Sequence, residues 1–215
     1  MNVIGFDDGP FEREHRGDVL LVGAMCSGTR LDGVVAGRIR RDGADAARRI
    51  VQVLRASQFG ESVQAVLLQG IAVGGFNVVD IHGLAKALNV PVLVVVRRPP
   101  DMAAVRRALF SDDPHSRPRV PGAARKWKLI QAAGDLEPLG ASRRSQKKHA
   151  KGSAGPTGIA TTAPRLWIQR AGGLSVEQAR RLVADTTLHG NIPEPLRLAH
   201  LIAGGVTTGR SRGRA

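Results

Sequence analysis

Two adjacent carboxylates, Asp7 and Asp8, close the first apolar run of the chain, in the octet I-G-F-D-D-G-P-F at residues 4–11. Acids of this kind can bind Mg²⁺, because carboxylate oxygens are among the hard ligands that this ion prefers. The same residues can instead be structural, since Asp8-Gly9-Pro10 is typical of a turn that ends a strand. A metal site needs further polar groups, so the choice depends on where the neighbouring elements end.

The elements around these acids begin with three strands. Strands are predicted at residues 2–6, 19–25 and 31–39, separated by Gly-, Asp- and Ser-rich turns, which is typical of an antiparallel meander. A helix capped by Asp45 is predicted to end near Ser57, because apolar residues recur in it at helical spacing.

Parallel strands are predicted after this helix. The apolar runs at 65–68 and 90–96 flank a predicted helix at 78–88, and this pattern is typical of parallel strands joined by a right-handed crossover. The sequence therefore predicts an α/β chain with a mixed sheet, in which a three-stranded antiparallel meander is followed by parallel β-α-β units. This order is that of the ribonuclease H-like fold, in which acids at several strand ends converge on divalent metal.

Two further positions test the metal interpretation. In this fold, acids are expected near the end of the third strand and directly after the fourth. Asp42 occupies the first of these positions, whereas Gln69, a neutral amide, occupies the second. An amide oxygen can coordinate an ion but contributes no net charge, so the sequence predicts a metal site that is weaker than a full set of acids would make.

The loop I-A-V-G-G-F-N-V-V-D lies where parallel sheets bind ligands, beyond the end of a strand. Gly74 and Gly75 would let a phosphate or a base come close to the backbone. Asn77 can hydrogen-bond a base edge, or it can cap the next helix together with Asp80. Two histidines inside predicted helices are interpreted as ordinary helix residues, namely His82 and His200.

The remaining elements show weaker patterns. They are a helix at 101–110, a strand near Leu129, a strand at L-W-I-Q, a helix capped by Ser175 and Gln178 that ends near Gly190, and a last helix that starts at I-P-E-P. Residues 140–164 contain almost no side chains able to enter a core, so we predict a basic mobile loop that is either a spacer or a phosphate-contacting arm. We expect residues 1–215 to form one domain.

The chain has 215 residues and a formal net charge of +14, from 32 Lys and Arg against 18 Asp and Glu. Residues 101–215 contain 20 of the basic and 8 of the acidic residues. Such a surface attracts polyanions, so nucleic acid is the expected partner. Because 26 of the basic residues are arginine, the base composition of the coding DNA is an alternative cause. With five Phe, two Trp and no Tyr, a stacking platform for single strands is not expected.

The single cysteine, Cys26, excludes an intramolecular disulfide and a Cys-rich zinc site, and it favours a reducing, intracellular compartment. No apolar run approaches the roughly 20 residues of a membrane span, and the N-terminus lacks the features of a signal peptide. We therefore expect a cytoplasmic protein that does not contact a membrane. The sequence does not define its oligomeric state.

As a set, these motifs resemble the endonuclease dU family, archaeal proteins related to endonuclease V. The resemblance covers essentially the whole chain and rests on I-G-F-D-D-G-P-F, V-A-G-R-I-R-R-D-G-A-D-A, L-L-Q-G-I-A-V-G-G-F-N-V-V-D, I-P-E-P-L-R-L-A-H-L-I-A-G-G and G-R-S-R-G-R-A. It implies that Asp7 and Asp42 match metal-binding acids of endonuclease V. Arg97 and Arg98 match its basic residue after the fifth strand. Gln69 departs from an acid of that pattern, and its late histidine is replaced by Gly172 and Gly173.

The resemblance implies a DNA endonuclease of DNA repair, which hydrolyses a phosphodiester bond near a deaminated base, uracil, with Mg²⁺ or Mn²⁺ as its cofactor. The implied catalytic residues are Asp7, Asp8 and Asp42, and Asp7 and Asp42 are the implied metal ligands. The implied nucleic-acid-binding residues are Gly74, Gly75, Phe76, Asn77, Arg97 and Arg98. The alternative is a non-catalytic nucleic-acid-binding protein that retains the fold and has lost part of the metal site. A Rossmann-type enzyme is disfavoured, because a meander precedes the first helix and the glycine fingerprint is missing.

Overall fold

The computed structural model describes residues 1–111, 120–140 and 166–212. The strands in these ranges are β1 (Asn2–Asp8), β2 (Asp18–Ser27), β3 (Arg30–Arg40), β4 (Ala65–Leu68), β5 (Ala72–Val73), β6 (Asn77–Val78), β7 (Val92–Val96), β8 (Glu137–Leu139) and β9 (Leu166–Ala171). The helices are α1 (Ala46–Arg55), α2 (Ile81–Leu88), α3 (Met102–Phe110), α4 (Ala123–Ala132), α5 (Val176–Thr186) and α6 (Glu194–Thr208). None of the helices in the described ranges has the length and apolarity that crossing a membrane requires.

Seven strands form one mixed sheet in the order β3-β2-β1-β4-β7-β9-β8, and β5 pairs with β6 in a separate ribbon. The first three strands are antiparallel neighbours, whereas β1, β4 and β7 run parallel. β9 lies antiparallel to β7 and carries β8 on its outer side. The predicted mixed sheet is therefore confirmed. β1, β4 and β7 all end on one side of this sheet, which we call the carboxyl edge.

Alternation along β1 divides its side chains between two cores. Ile4 and Phe6 face one side, where they share a core with buried residues of α1 and α2, namely Ile50, Leu54, Ile81 and Leu84. Val3 faces the other side, where it shares a core with Leu67, Leu93, Ile168 and Leu182. Because the central strands are covered on both faces, they appear in the sequence as continuous apolar runs such as A-V-L-L.

The strand predicted near Leu129 is wrong, because these residues belong to helix α4. Ala123, Trp127 and Ile130 recur at helical spacing and pack in one cluster with Leu109 of α3. The strands β5, β6 and β8 were not expected, since two or three residues are too few to show an alternating pattern. Apart from Gly140, the predicted basic loop at 140–164 lies outside the described residues.

The two predicted caps have different outcomes. The capping box is confirmed, because Ser175 Oγ accepts the Gln178 N–H at 3.1 Å and Gln178 Oε1 accepts the Ser175 N–H at 2.8 Å. Asp45 occupies the predicted N-cap position of α1, but its side chain makes no capping hydrogen bond. The Ala46 N–H at this helix start instead donates to Asn77 Oδ1, at 3.1 Å.

Cys26 is fully buried in β2. Burial raises the pKa of this thiol to about 11, so it remains protonated near neutral pH. An enclosed, protonated thiol is neither a nucleophile nor a metal ligand.

Helix α6 lies directly on the backbone of β1. A Cβ atom added to Gly5 would be 2.4 Å from the carbonyl carbon of Pro195 and 2.6 Å from the nitrogen of Leu196, so backbone meets backbone there. A Cβ atom added to Gly9 would be 2.4 Å from Thr207 Oγ1 near the other end of the helix. The two contacts align α6 along β1, with the N-terminal turn of the helix over Gly5.

We expect Gly5→Ala to destabilise the fold by about 3 kcal/mol, because rigid backbone cannot move away from the added methyl group. The matched control is Gly205→Ala in α6, where an added Cβ meets nothing within 4 Å. This control should stabilise the helix by roughly 0.5–1 kcal/mol. Urea unfolding followed by circular dichroism measures both changes, and equal effects of the two substitutions would contradict the close contact at Gly5.

Candidate active site

An aspartate–histidine pair lies at the carboxyl edge of β1. Asp7 Oδ2 is 2.8 Å from His200 Nδ1. Asp7 shares the sheet face of Gly5, and α6 is fixed on this face by a buried stripe that borders His200, namely Leu196, Ala199 and Ala203. The Asp7 side chain is 13% exposed and the His200 side chain is 52% exposed, so the pair extends from the interior to solvent.

The pair is arranged for proton transfer. Burial raises the pKa of Asp7, and the hydrogen bond from His200 acts against this shift. A neutral imidazole that donates from Nδ1 keeps its lone pair on Nε2, and no described residue hydrogen-bonds that atom. A carboxylate that holds a histidine in this way fixes the tautomer in which Nε2 can accept a proton.

Asp8 points to the opposite face of β1. Its carboxylate accepts a hydrogen bond from the backbone N–H of Gly74. Burial, followed by the negative charge of Asp7, raises the pKa of Asp8 to about 6. The end of β1 therefore holds two acids whose charges the protein compensates incompletely.

The loop after β3 is fastened to the turn between β5 and β6. The Asp42 N–H donates to the Gly74 carbonyl oxygen at 2.9 Å, and the Phe76 N–H donates to Asp42 Oδ1 at 2.7 Å. The buried Lys126 of α4 donates from Nζ to the Asp42 carbonyl oxygen at 2.5 Å. Gly75 has a φ of 79°, and a Cβ atom there would be 2.5 Å from Asp42 Oδ1, so this turn requires glycine.

The second carboxylate oxygen of Asp42 lies 3.3 Å from Arg41 Nε. The buried Arg41 also holds the connection between β1 and β2, by packing over Phe11 at 5.2 Å and by donating to the carbonyl oxygens of Glu12, Arg13 and His15. Both Asp42 oxygens are thus engaged in fixing loops. The binding of a metal ion by Asp42 stays a prediction.

Asn77 does not have the surroundings of a base-contacting residue, so that prediction is corrected. Its side chain is fully buried, and its Oδ1 accepts the Ala46 N–H. Its Nδ2 donates to the Arg40 carbonyl oxygen at 2.9 Å and to Asp45 Oδ1 at 2.7 Å. Asn77 is a capping residue, as the alternative prediction states, but it does not cap the same helix as Asp80. Asn77 caps α1, whereas Asp80 caps α2.

Gln69 follows β4 beside Asp7. The register pairs Phe6 with Leu68, so the next residues of the two strands are neighbours on one face of the sheet. Arg97 and Arg98 are exposed just after β7, which lies two strands or about 10 Å from β1. Gln69, Arg97 and Arg98 therefore lie at the same carboxyl edge of the sheet as Asp7.

His200 is the site residue that the sequence interpretation misses. The resemblance places a late histidine where Gly172 and Gly173 stand, but α6 brings an imidazole to Asp7 from a different element. In the sequence, the apolar stripe of α6 shows only that His200 lies at the border of the buried helix face. That Asp7 is the partner of His200 follows only from the packing of α6 on β1. The other histidine interpreted as structural, His82, has a ring nitrogen 3.1 Å from the Ala132 carbonyl oxygen, in agreement with that interpretation.

The carboxylates at the end of β1 are of the type that a hard divalent cation prefers. Asp7 and Asp8 are adjacent in the chain but point to opposite faces of β1, and burial raises the pKa of both. On either face one carboxylate, with water and substrate oxygens, would hold Mg²⁺, which commonly takes one or two carboxylates. Among residues 1–111, 120–140 and 166–212, no group of three or more His, Cys, Asp or Glu is placed to hold a metal ion. A second ion would therefore depend on the amide of Gln69 or on ligands from the substrate.

The chain is similar to known proteins over most of its length. The family model described as Endonuclease dU matches residues 1–207. A UPF0215 protein of Deinococcus radiodurans is 45% identical over 213 residues, which cover 99% of this chain and 92% of that protein.

Two solved structures are similar in fold. The crystal structure of a protein of unknown function from Archaeoglobus fulgidus has a TM-score of 0.76 and 28% identity, over 97% of this chain and 99% of that one. Ciona intestinalis endonuclease V, in complex with a 24mer DNA containing an inosine followed by a ribo-adenosine, has a TM-score of 0.51 and 14% identity, over 92% and 82% of the respective chains. The endonuclease V-like fold expected from the sequence is therefore confirmed.

The raised pKa of Asp8 gives a pH-dependent prediction. The folded state binds a proton at Asp8 near pH 6 and the unfolded state near pH 4, so this acid lowers stability increasingly between these values and fully above them. We expect Asp8→Asn to raise the melting temperature at pH 8 in EDTA, because an amide oxygen can still accept the Gly74 N–H without the buried charge. This gain in melting temperature should vanish near pH 4, where Asp8 is protonated in the folded state.

The control for this measurement is Asp135→Asn, which removes an equal charge from an exposed position. Differential scanning calorimetry from pH 4 to pH 8 compares both variants with the unmodified protein. A gain for Asp8→Asn that is the same at every pH would contradict burial of an ionised Asp8.

Proposed function

The chain belongs to the endonuclease dU family, and on this basis we propose that it is a metal-dependent DNA endonuclease that cleaves a phosphodiester bond near a deaminated base, uracil above all, in DNA repair. The observation that carries the proposal is the contact of Asp7 with His200 at the carboxyl edge. The net charge of +14 supports a polyanionic substrate.

In this proposal His200 takes a proton from the attacking water at Nε2, where the tautomer held by Asp7 leaves the lone pair, and releases it to solvent after cleavage. Positioned histidines typically contribute about 10²–10⁴-fold to such reactions. Asp7 orients the ring through Nδ1, and the half-exposed position of the ring lets a substrate reach Nε2.

Asp7 would hold the divalent ion, Mg²⁺ or Mn²⁺, and Asp42 and Asp8 are the further candidate ligands from the sequence. When bound, such an ion activates water and stabilises the charge that develops on the phosphate oxygens. The raised pKa of each of the two β1 acids supports this assignment, because a cation would offset the charge that burial makes unfavourable.

The preference for uracil is supported by the family and by a physical argument. A deaminated base in a duplex is mispaired, so extruding it costs less than extruding a normal base. Gly74, Gly75 and Phe76 remain the candidate contacts in the turn beside Asp8, and Arg97 and Arg98 are candidate phosphate contacts at the same edge. Asn77 is left out of this set, because its amide is committed to α1.

A second candidate function is a nucleic-acid-binding protein without catalysis. It is favoured by Gln69, which puts an amide beside Asp7 where the resemblance expects an acid. The aspartate–histidine pair argues against it, because phosphate binding alone requires neither a carboxylate nor an oriented imidazole.

We expect Asp7→Asn to abolish metal-dependent nicking of a uracil-containing duplex and to leave DNA binding in EDTA within about a few-fold, because this carboxylate serves the ion and His200 rather than the phosphates. His200→Ala should lower the nicking rate by about 10²–10⁴-fold and likewise preserve binding. Gel assays of nicking and fluorescence anisotropy of binding measure the two effects.

The matched control is His189→Ala, in the exposed connection between α5 and α6. It should retain the full nicking rate. Full activity of either Asp7→Asn or His200→Ala would refute the pair as the reaction centre.

Gln69→Asp separates the two candidate functions, because they predict opposite signs. In a metal-dependent nuclease the new carboxylate lies beside Asp7, so metal affinity should rise and nicking should need less Mg²⁺. In a binding protein without metal the same carboxylate repels Asp7 and the incoming phosphate, so DNA affinity should fall.

Gln69→Asn is the neutral control, with the length of aspartate and no charge. Nicking rate and DNA affinity are measured against Mg²⁺ concentration for the three proteins. Weaker binding by Gln69→Asp without nicking at any Mg²⁺ concentration would refute the nuclease proposal and support the binding protein.

A further inference from the structure

The chain reverses direction directly after α6. Gly209 adopts a left-handed φ of 72°, and its N–H donates to the Gly205 carbonyl oxygen at 2.9 Å. Thr208 Oγ1 donates to the Arg210 carbonyl oxygen at 2.6 Å and holds the turn. A Cβ atom added to Gly204 would be 2.8 Å from Ser211 Oγ, so the returning chain lies on α6 at Gly204. We call residues 209–212 the strap.

The strap lies on the helix face that carries His200. Gly204 is four residues after His200, and residues at this spacing are neighbours on one face of a helix. Thr207, at the start of the reversal, contacts Gly9 just beyond the two acids of β1. The strap is therefore next to the candidate active site, although it follows the last helix of the described chain.

The strap presents two exposed arginines, Arg210 and Arg212. No described carboxylate forms an ion pair with either of them. Several other arginines do have such partners, for example Arg30 with Asp32 and Arg180 with Glu177. Guanidinium groups without a carboxylate partner keep their planar donors available for phosphate oxygens.

We propose that the strap is a binding site for the phosphodiester backbone of a polynucleotide, in which Arg210 and Arg212 hold phosphates that flank the bond at Asp7 and His200. This inference rests on the proposed function, since it assigns part of the substrate to a surface beside the same site. The shared chemistry is the backbone phosphate, which both DNA and RNA offer.

The test measures binding without cleavage. The affinity of the full chain for labelled oligonucleotides is measured in EDTA over a range of salt concentrations, with a uracil-containing DNA duplex, an undamaged duplex and an RNA duplex of the same sequence. Each phosphate contact contributes about −0.9 to the slope of log K against log salt, so Arg210→Gln with Arg212→Gln should make the slope shallower by about 1.8. The affinity near 100 mM salt should fall by about tenfold or more.

The matched control is Arg30→Gln with Arg55→Gln. It removes the same charge from the side of the sheet opposite the carboxyl edge, where Arg30 follows the β2–β3 turn and Arg55 donates to the Ala87 carbonyl oxygen. Its slope should stay close to that of the unmodified protein. Arg210→Lys with Arg212→Lys keeps the charge and should restore most of the slope.

The outcomes separate the strap from the proposed function. If the unmodified protein binds tightly and the strap variant has an unchanged slope, the proposed phosphate binding by the strap is refuted, whereas the nuclease proposal is not affected. An equal loss of slope in the strap variant and in the control would show that net charge alone causes the effect, and it would also refute phosphate binding by the strap. No binding by the unmodified protein to any of the oligonucleotides would refute both. A shallower slope for the strap variant alone supports the proposal, and the DNA and RNA arms identify the polynucleotide.

Discussion

The contact between Gly5 of β1 and the first turn of α6 is the constraint on which the candidate active site depends. At this point the two backbones are so close that no side chain fits between them. Thr207 against Gly9 supplies a second point of contact, so both the position and the direction of the helix are fixed. His200 lies between these two points. The packing of the two backbones therefore sets its distance from Asp7.

The acids at the carboxyl edge differ in how the protein compensates their charge. Asp42 receives a backbone N–H on one oxygen and faces an arginine with the other, and its main chain is held by Lys126. Asp7 and Asp8 are more isolated from cations, and burial raises the pKa of both. Structural acids are usually paired in the way Asp42 is, whereas poorly compensated acids in a cleft are typical of functional sites.

Most of the fold could be predicted from the sequence, because its central strands are continuous apolar runs and its helices have regular spacing. The position of Asp7 could also be predicted, since it needs only the end of the first strand. Its pairing with His200 could not, because 193 positions separate the two residues and only tertiary packing joins them. The role of Asn77 was hidden for a similar reason, since the helix that it caps begins 31 residues before it in the chain. The mistake at α4 has a local cause, because a short apolar run such as K-L-I-Q-A-A fits a strand and a helix equally well.

The separation of Asp7 and His200 along the chain also has a consequence for biosynthesis. Strand β1 leaves the ribosome before α6 and can pair with β2, and later with β4, while α6 is still being synthesised. Until α6 emerges, the face of β1 around Gly5 is uncovered, and Asp7 remains hydrated without its histidine. A nascent chain can therefore build most of its sheet before it possesses the pair. If this pair is the reaction centre, cleavage cannot begin until α6 has been synthesised and has docked on β1.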